Sequence, residues 1–248
     1  MSKVALITGS GRGIGAATAK LLASQDYKVC INYKTDQVAA NKLVAQLSGY
    51  GVKCIAVQAD VSVEADVIAL FQRIDSELGT ITALVNNAGM LLPQMPIEQM
   101  TAQRINQILS TNITSHFLCS REAVKRMSFK HGGNGGAIVN ISSGAAKTGA
   151  PGEYLDYAAS KGAIDTFTRG LSLEVAQQGI RVNCVRPGFI YTDMHGDGGE
   201  PDRVNRIKNK IPMGRGGKPE EVAQAIYWLL SDASSYSSGT FIDVCGGH

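Results

Sequence analysis

The chain has no paired-cysteine motif, no cluster of histidine with cysteine, no block of basic residues and no apolar run of bilayer length. Each absence excludes something. The five cysteines, Cys30, Cys54, Cys119, Cys184 and Cys245, are scattered and odd in number. They sit in apolar, strand-like segments without C-x-x-C spacing, which argues for reduced, buried thiols in a cytoplasmic protein. No two of the four histidines, His116, His131, His195 and His248, lie close in sequence, so no metal site is expected. A net charge of +3 gives nucleic acid no basic patch to bind. No stretch approaches the roughly 20 apolar residues of a membrane span. The opening "MSKVALITGS" has neither the apolar core nor the cleavage site of a signal peptide, so neither a membrane anchor nor export is expected.

What is present is alternation. Hydrophobic residues make up 44% of the chain. They fall in short continuous runs ("KVALITG", "KVCINYK", "KCIAVQAD", "ITALVNNAG", "GGAIVNISS", "IRVNCVRPG", "TFIDVCGG") separated by longer amphipathic segments. Continuous runs of strand length fit strands buried on both faces, and the segments between them have helical spacing. One of these, from about Thr101 to Met127, reads as a single long helix. The pattern predicts one α/β domain over residues 1–248. It is a Rossmann-like, doubly wound parallel sheet of about seven strands with helices on both faces. "YTDMHGDGGEPDR", after the sixth strand, reads as an irregular mobile stretch. Ligands in such folds bind beyond the carboxyl ends of the strands, so residues 192–212 are expected to cover a substrate.

The first strand runs into "TGSGRGIG". Gly9, Gly11, Gly13 and Gly15 let the backbone turn tightly and approach a pyrophosphate, and Arg12 and Ile14 lie among them. The helix that follows offers unpaired N–H groups and a positive dipole end. The spacing is T-G-x-x-x-G-x-G rather than G-x-G-x-x-G. An NAD site commonly places a carboxylate at the end of the second strand, on the ribose hydroxyls. Here "INYKTD" puts Tyr33 and then Lys34 at that point, with Asp36 further along. Two cations, Lys34 and Arg12, and no carboxylate suit a 2′-phosphate, so NADP(H) is favoured over NAD(H).

"YLDYAASK" contains Tyr157 and Lys161, four residues apart and so on one face of a helix. A cation beside a phenol favours phenolate and lowers its pKa from about 10, which suits proton exchange near neutral pH. The pair alone is weak evidence, because Tyr-x-x-x-Lys recurs on many helices.

Taken together, "TGSGRGIG", "NNAG" (Asn86 to Gly89), "ISS" (Ile141 to Ser143), "YAASK" and "RPG" (Arg186 to Gly188), in this order and spanning nearly the whole chain, resemble the short-chain dehydrogenase/reductase family. Within it the sequence is similar to bacterial 3-oxoacyl-carrier-protein reductases and to glucose or ribitol dehydrogenases. The resemblance implies that Tyr157 donates the proton. It implies that Lys161 tunes the phenol and bonds the nicotinamide ribose, and that Ser143 binds the substrate oxygen, with Ser142 a lesser candidate. Asn112 in "STNITSHF" matches a helix asparagine supporting a water that leads to Lys161. Asp60 and Val61 match adenine contacts. Asn87, Ala88 and Gly89 flank the adenosine ribose, and Pro187, Gly188, Ile190 and Thr192 match the carboxamide end. Tyr154 has no lysine four residues on and is rejected. One departure is an extra residue between Ser143 and Tyr157, absorbed by "AKTGAPGEYLD", which lines the pocket in the family.

The expected reaction interconverts a carbonyl and a secondary alcohol by hydride transfer. A sugar or polyol dehydrogenase using either cofactor is the alternative, and a non-catalytic dinucleotide sensor is a further one. Pocket walls are expected from "MLLPQ", Gly149 to Tyr154, Phe189, Met194 and His195. Glu153 and His195 are candidates to bind hydroxyls. Arg121, Lys125, Arg126 and Lys130 form a basic stripe that an acyl-carrier protein could use, or that is simply a solvated face. The resemblance further implies a homotetramer built through the two long helices and the last strand.

Overall fold

The computed structural model describes residues 3–248. Seven parallel strands form one sheet in the order β3-β2-β1-β4-β5-β6-β7. In chain order the elements begin with β1 (Lys3–Ile7), α1 (Gly13–Ser24), β2 (Tyr27–Tyr33), α2 (Gln37–Leu47), β3 (Cys54–Gln58), α3 (Glu64–Glu77) and β4 (Ala83–Asn86). There follow α4 (Ala102–Leu109), α5 (Ser115–Met127), β5 (Gly136–Ile141), α6 (Ala145–Thr148), α7 (Leu155–Val175) and β6 (Ile180–Pro187). The last are α8 (Met194–Asp197), α9 (Arg203–Ile207), α10 (Pro219–Leu230) and β7 (Phe241–Val244). Among the described residues no helix is long and apolar enough to cross a membrane.

The strands β1 to β6 each feed two cores, and β7 packs on one of them through Ile242 and Val244. In β1, Ala5 and Ile7 join Leu22 of α1, Leu43 of α2 and Ile226 of α10 on one face. Val4 and Leu6 point the other way, to Leu70, Phe71 and Ile74 of α3 and Met127 of α5. Period-two alternation thus sends neighbouring residues into different helical layers, and every position can be apolar. The strand order reverses between β1 and β4, so the loops that leave these two strands diverge and leave a crevice.

Asn32, buried near the end of β2, ties three of the strand ends together. Its Oδ1 accepts from Gly9 N–H at 3.1 Å, and its Nδ2 donates to Ala59 O at 3.0 Å. This fixes the exit of β1 against β2 and β3 without any apolar contact.

The long helix expected from Thr101 to Met127 is interrupted. Residues Ser110–Thr114 form a π-turn between α4 and α5. Asn112 at its centre is fully buried. Its Oδ1 accepts from Met90 N–H at 2.8 Å, and its Nδ2 donates to Met90 O at 3.1 Å and to Ser160 Oγ at 3.1 Å. A buried side chain committed to three outside groups needs the local widening that a π-turn provides, and such turns recur at functional sites. The expected irregular stretch after β6 also differs. It folds into α8 and α9, closed by a 3₁₀ turn at Lys208–Lys210.

Candidate active site

The glycine loop and the "NNAG" segment meet across the crevice. Gly9 has φ +59°, and a Cβ there would stand 3.0 Å from Ala88 Cα. At Gly15 a Cβ would stand 2.7 Å from Asn87 Nδ2 and from Ser10 Cα. Only glycine satisfies both the turn and the close approach. Thr8 seals the contact: its Oγ1 accepts from Asn87 N–H (3.0 Å) and Ala88 N–H (2.9 Å). Asn87 Nδ2 in turn donates to Thr8 O at 2.9 Å and Gly9 O at 3.1 Å. Arg12, in extended conformation, precedes α1 without a side-chain cap. The first turn of that 12-residue helix therefore keeps N–H groups for an anion, and a backbone cradle without Cβ atoms fits a pyrophosphate.

At the ribose end the predicted set is only partly brought together. Tyr33 and Val61 turn into the two cores. Lys34 Nζ lies 2.6 Å from Asp60 Oδ2, and Asp60 is further held by Ser62. Burial pushes the Asp60 carboxyl up, but the Lys34 and Ser62 bonds outweigh it and leave the pKa below its ordinary value. Arg12 pairs with Asp197 of α8. Asp36 caps α2, accepting from Ala39 N–H at 2.8 Å, so it is committed to the helix rather than to a ribose.

The predicted reacting groups come together in a cavity of about 310 Å³. Ser143, Tyr157 and Lys161 line it, with Ile14, Asn87, Pro187, Gly188, Ile190 and Thr192. Lys161 is buried (3% exposed); its ammonium donates to Ile141 O at 2.7 Å and stands 5.6 Å from the Tyr157 ring centroid. Gly89 faces the lysine and the π-turn: a Cβ there would be in ordinary contact with Lys161 Nζ at 3.5 Å and Asn112 Oδ1 at 3.6 Å. Gly11, Gly13 and Ala88 complete the loop floor, and Gly13 faces the Thr192 side chain.

Burial lowers the Lys161 pKa from 10.5 to about 8, only partly opposed by Cys184 and Asp165. The Tyr157 phenol departs from the expectation of a lowered pKa. Burial raises it above its ordinary value, and the neighbouring Ser143 hydroxyl pulls it partly back. The Lys161 ammonium is turned to the Ile141 carbonyl. The lesser candidates resolve by geometry. Ser142 is buried and donates to Lys161 O at 3.1 Å, which positions α7 against β5. Tyr154 donates to Gly198 O at 3.0 Å and anchors the segment after β6. Between Ser143 and Tyr157 the chain takes three left-handed positions, Gly149, Ala150 (φ +43°) and Gly152.

Sequence reasoning missed Thr8, Asn32, Ser160 and Arg203. Thr8 belonged to the quoted loop, and its place before the first glycine was the available signal. Arg203 had none: it stands in a polar, glycine-rich segment, yet it is buried and lines the cavity. The basic stripe is largely neutralised from within. Arg121 reaches Glu64 at 2.6 Å, Lys125 reaches Glu122 at 2.8 Å, and Arg126 reaches Asp75 at 2.8 Å.

This fold, with a glycine loop at its switch point and a serine, tyrosine and lysine in one cavity, defines a class. A family model described as enoyl-(acyl carrier protein) reductase matches residues 9–248. The chain belongs to the short-chain dehydrogenase/reductase family. It is 61% identical over 244 residues to the uncharacterized oxidoreductase YgfF of Escherichia coli, covering 98% of this chain and 99% of the relative. It is 39% identical to a 3-oxoacyl-[acyl-carrier-protein] reductase of Synechocystis, covering 99% and 96%. A solved 3-ketoacyl-(acyl-carrier-protein) reductase of Brucella melitensis, complexed with NADH, superposes with a TM-score of 0.91 at 31% identity, covering 99% and 97%.

The buried ammonium generates a stability prediction. A shift from 10.5 to about 8 corresponds to about 3 kcal/mol of disfavoured charge. The unfolded chain holds this proton up to about pH 10.5 and the folded chain only to about pH 8. The penalty is therefore full below pH 8 and is relieved as pH rises between these values. Lys161→Met is expected to be inactive yet as stable as the wild type or more so at pH 7, with the difference turning toward the wild type by pH 10. Urea unfolding at the two pH values measures it.

Proposed function

We propose that this protein is an NADP(H)-dependent oxidoreductase interconverting a carbonyl and a secondary alcohol. The observation that carries the reading is the convergence of Ser143, Tyr157 and a buried Lys161 at the end of the crevice that the glycine loop opens. A nicotinamide dinucleotide, when bound, supplies or accepts the hydride. The chain's own residues do the rest. Ser143 and Tyr157 donate hydrogen bonds to the substrate oxygen as charge develops there, commonly the largest catalytic contribution. Tyr157 gives that oxygen a proton, worth about 10²–10⁴-fold. Lys161 places a positive charge beside the phenol as it ionises, and the π-turn that carries Asn112 supports the lysine from behind. Residues 192–212 cover the substrate.

Preference for NADP(H) is supported by the lack of a free carboxylate at the end of β2, where Asp36 serves as a cap. The two cations are exposed, at 64% for the Lys34 side chain and 55% for Arg12. Exposed pairs contribute about 0–1 kcal/mol, so both can turn from their carboxylates to a phosphate at little cost. The sugar or polyol alternative remains within the same chemistry. The sensor reading is disfavoured because the proton donor, its lysine and the serine are all present. A small-molecule substrate and a cytoplasmic setting with reduced thiols complete the proposal. NADPH consumption, run beside NADH against a panel of ketones, diketones, aldoses and β-ketoacyl thioesters, tests the activity. Turnover preferring NADPH is expected. In Arg12→Ala/Lys34→Ala, NADPH affinity is expected to fall by about ten- to a hundredfold while NADH affinity changes little. A preference unchanged in the double variant contradicts the assignment of these cations.

A homotetramer is supported by apolar residues left at the surface of the two long helices. Phe117 of α5 is 52% exposed and packs against Phe167 of α7 with ring centroids 4.2 Å apart and the rings tilted by 42°. Leu173 of α7 is exposed as well. Light scattering is expected to read about four times the 26.2 kDa chain, and a mass near one chain contradicts the assembly.

A further inference from the structure

A buried ion pair that does not line the cavity sits at the root of the proposed proton donor. Asp156 precedes Tyr157 in the first turn of α7, and its Oδ1 accepts from the Tyr157 N–H at 2.8 Å. Its Oδ2 accepts from Nε of Arg104, on α4, at 2.8 Å. The Arg104 side chain is 10% exposed and that of Asp156 2%. The same guanidinium donates from Nη1 to Pro93 O at 2.8 Å. Pro93 belongs to "MLLPQ", the segment whose Leu91 lines the cavity together with Tyr157. One arginine thus bonds both the wall segment and the turn that carries the phenol.

The wall segment is tied at its two ends as well. Met90 is held by Asn112, which also donates to Ser160 Oγ of α7 at 3.1 Å. Met95 N–H donates to Glu153 O at 3.0 Å, just before α7. Arg104 holds the middle, so each tie refers the segment to the helix of Tyr157. Stability does not account for the ion pair. A buried pair adds little over an apolar pair of the same volume, because both charges lose their hydration. Here Arg104 Nη2 is also buried without a partner among the described residues, a further cost. What the guanidinium supplies is geometry: a rigid planar fork holds two acceptors at a fixed spacing, which a flexible ammonium does not.

We infer that Arg104 and Asp156 are positioning residues that set the Leu91 wall of the cavity at a fixed spacing from the Tyr157 phenol. The inference rests on the oxidoreductase reading above and adds to it two residues that line no part of the cavity. Asp156 fixes the first turn of α7, from which Tyr157 projects. Pro93 fixes the segment on which Leu91 stands two residues earlier. A substrate carbonyl held between that wall and the phenol is displaced when either moves, and a misplacement of about 1 Å costs on the order of a hundredfold in rate. Neither Arg104 nor Asp156 bonds the glycine loop, so cofactor binding is not expected to depend on them.

The test compares wild type, Arg104→Met, Arg104→Lys and Arg104→Met/Asp156→Asn. For each it measures kcat on the best substrate of the panel above, NADPH affinity, the urea midpoint and amide exchange at Met95. Arg104→Met leaves the Asp156 carboxylate buried and unpaired, so it is expected to be slow and to unfold at lower urea. The double variant removes that charge and keeps an acceptor for the Tyr157 N–H, so its midpoint is expected to return to that of the wild type. Its kcat per bound NADPH is expected to stay about ten- to a hundredfold low, with NADPH affinity unchanged and Met95 exchange faster. Arg104→Lys, which reaches one acceptor at a time, is expected to fall between. A double variant with wild-type kcat, or with wild-type exchange at Met95, overturns the inference. So does a series in which kcat rises and falls with the urea midpoint, as a purely structural pair would give. In each of these cases the wild type is active and the oxidoreductase reading stands. A wild type that turns over no member of the panel with either cofactor overturns both.

Discussion

Everything at the proposed site depends on one buried ammonium. Lys161 carries its charge to the end of β5, where the Ile141 carbonyl at 2.7 Å is its hydrogen-bond acceptor. Isolated charge in such a place is costly, and the surrounding structure is arranged to hold it there. Ser142 grips the backbone of the lysine's own turn. Asn112 holds the end of the "NNAG" segment through both backbone groups of Met90. The π-turn exists where this asparagine must be buried.

The cofactor end follows a different logic, of backbone in place of charge. The close approach of Gly9 and Gly15 to Ala88 and Asn87 sets the crevice, and Thr8 and Asn32 lock it with hydrogen bonds. The charged groups here are exposed and exchangeable. Arg12 is paired across the crevice with Asp197, so the segment after β6 already touches the glycine loop, and what occupies the crevice bears on the position of that segment.

The layers of this fold were legible because strand and helix periods alternate without interruption and each strand is apolar on both faces. The "YAASK", "ISS" and "NNAG" motifs were legible because they occur together and in order, which carries the family resemblance that no single motif does. What could not be read was side-chain commitment. Lys34 and Arg12 looked free, yet each has a carboxylate partner far away in sequence. The lysine was expected to lower the phenol pKa, but burial, which no local sequence reports, dominates it. Arg203 looked like a loop residue because nothing local in the sequence reports its contacts with Glu153 and Tyr154, more than forty residues away.

The most direct measurement follows deuterium from C4 of reduced nicotinamide into the alcohol product, with wild type and Tyr157→Phe run side by side. The expected result is label on the carbinol carbon with the wild type and a rate about 10²–10⁴-fold lower with the variant. Unlabelled product, or a variant that turns over at the wild-type rate, would contradict hydride transfer with Tyr157 as the proton donor.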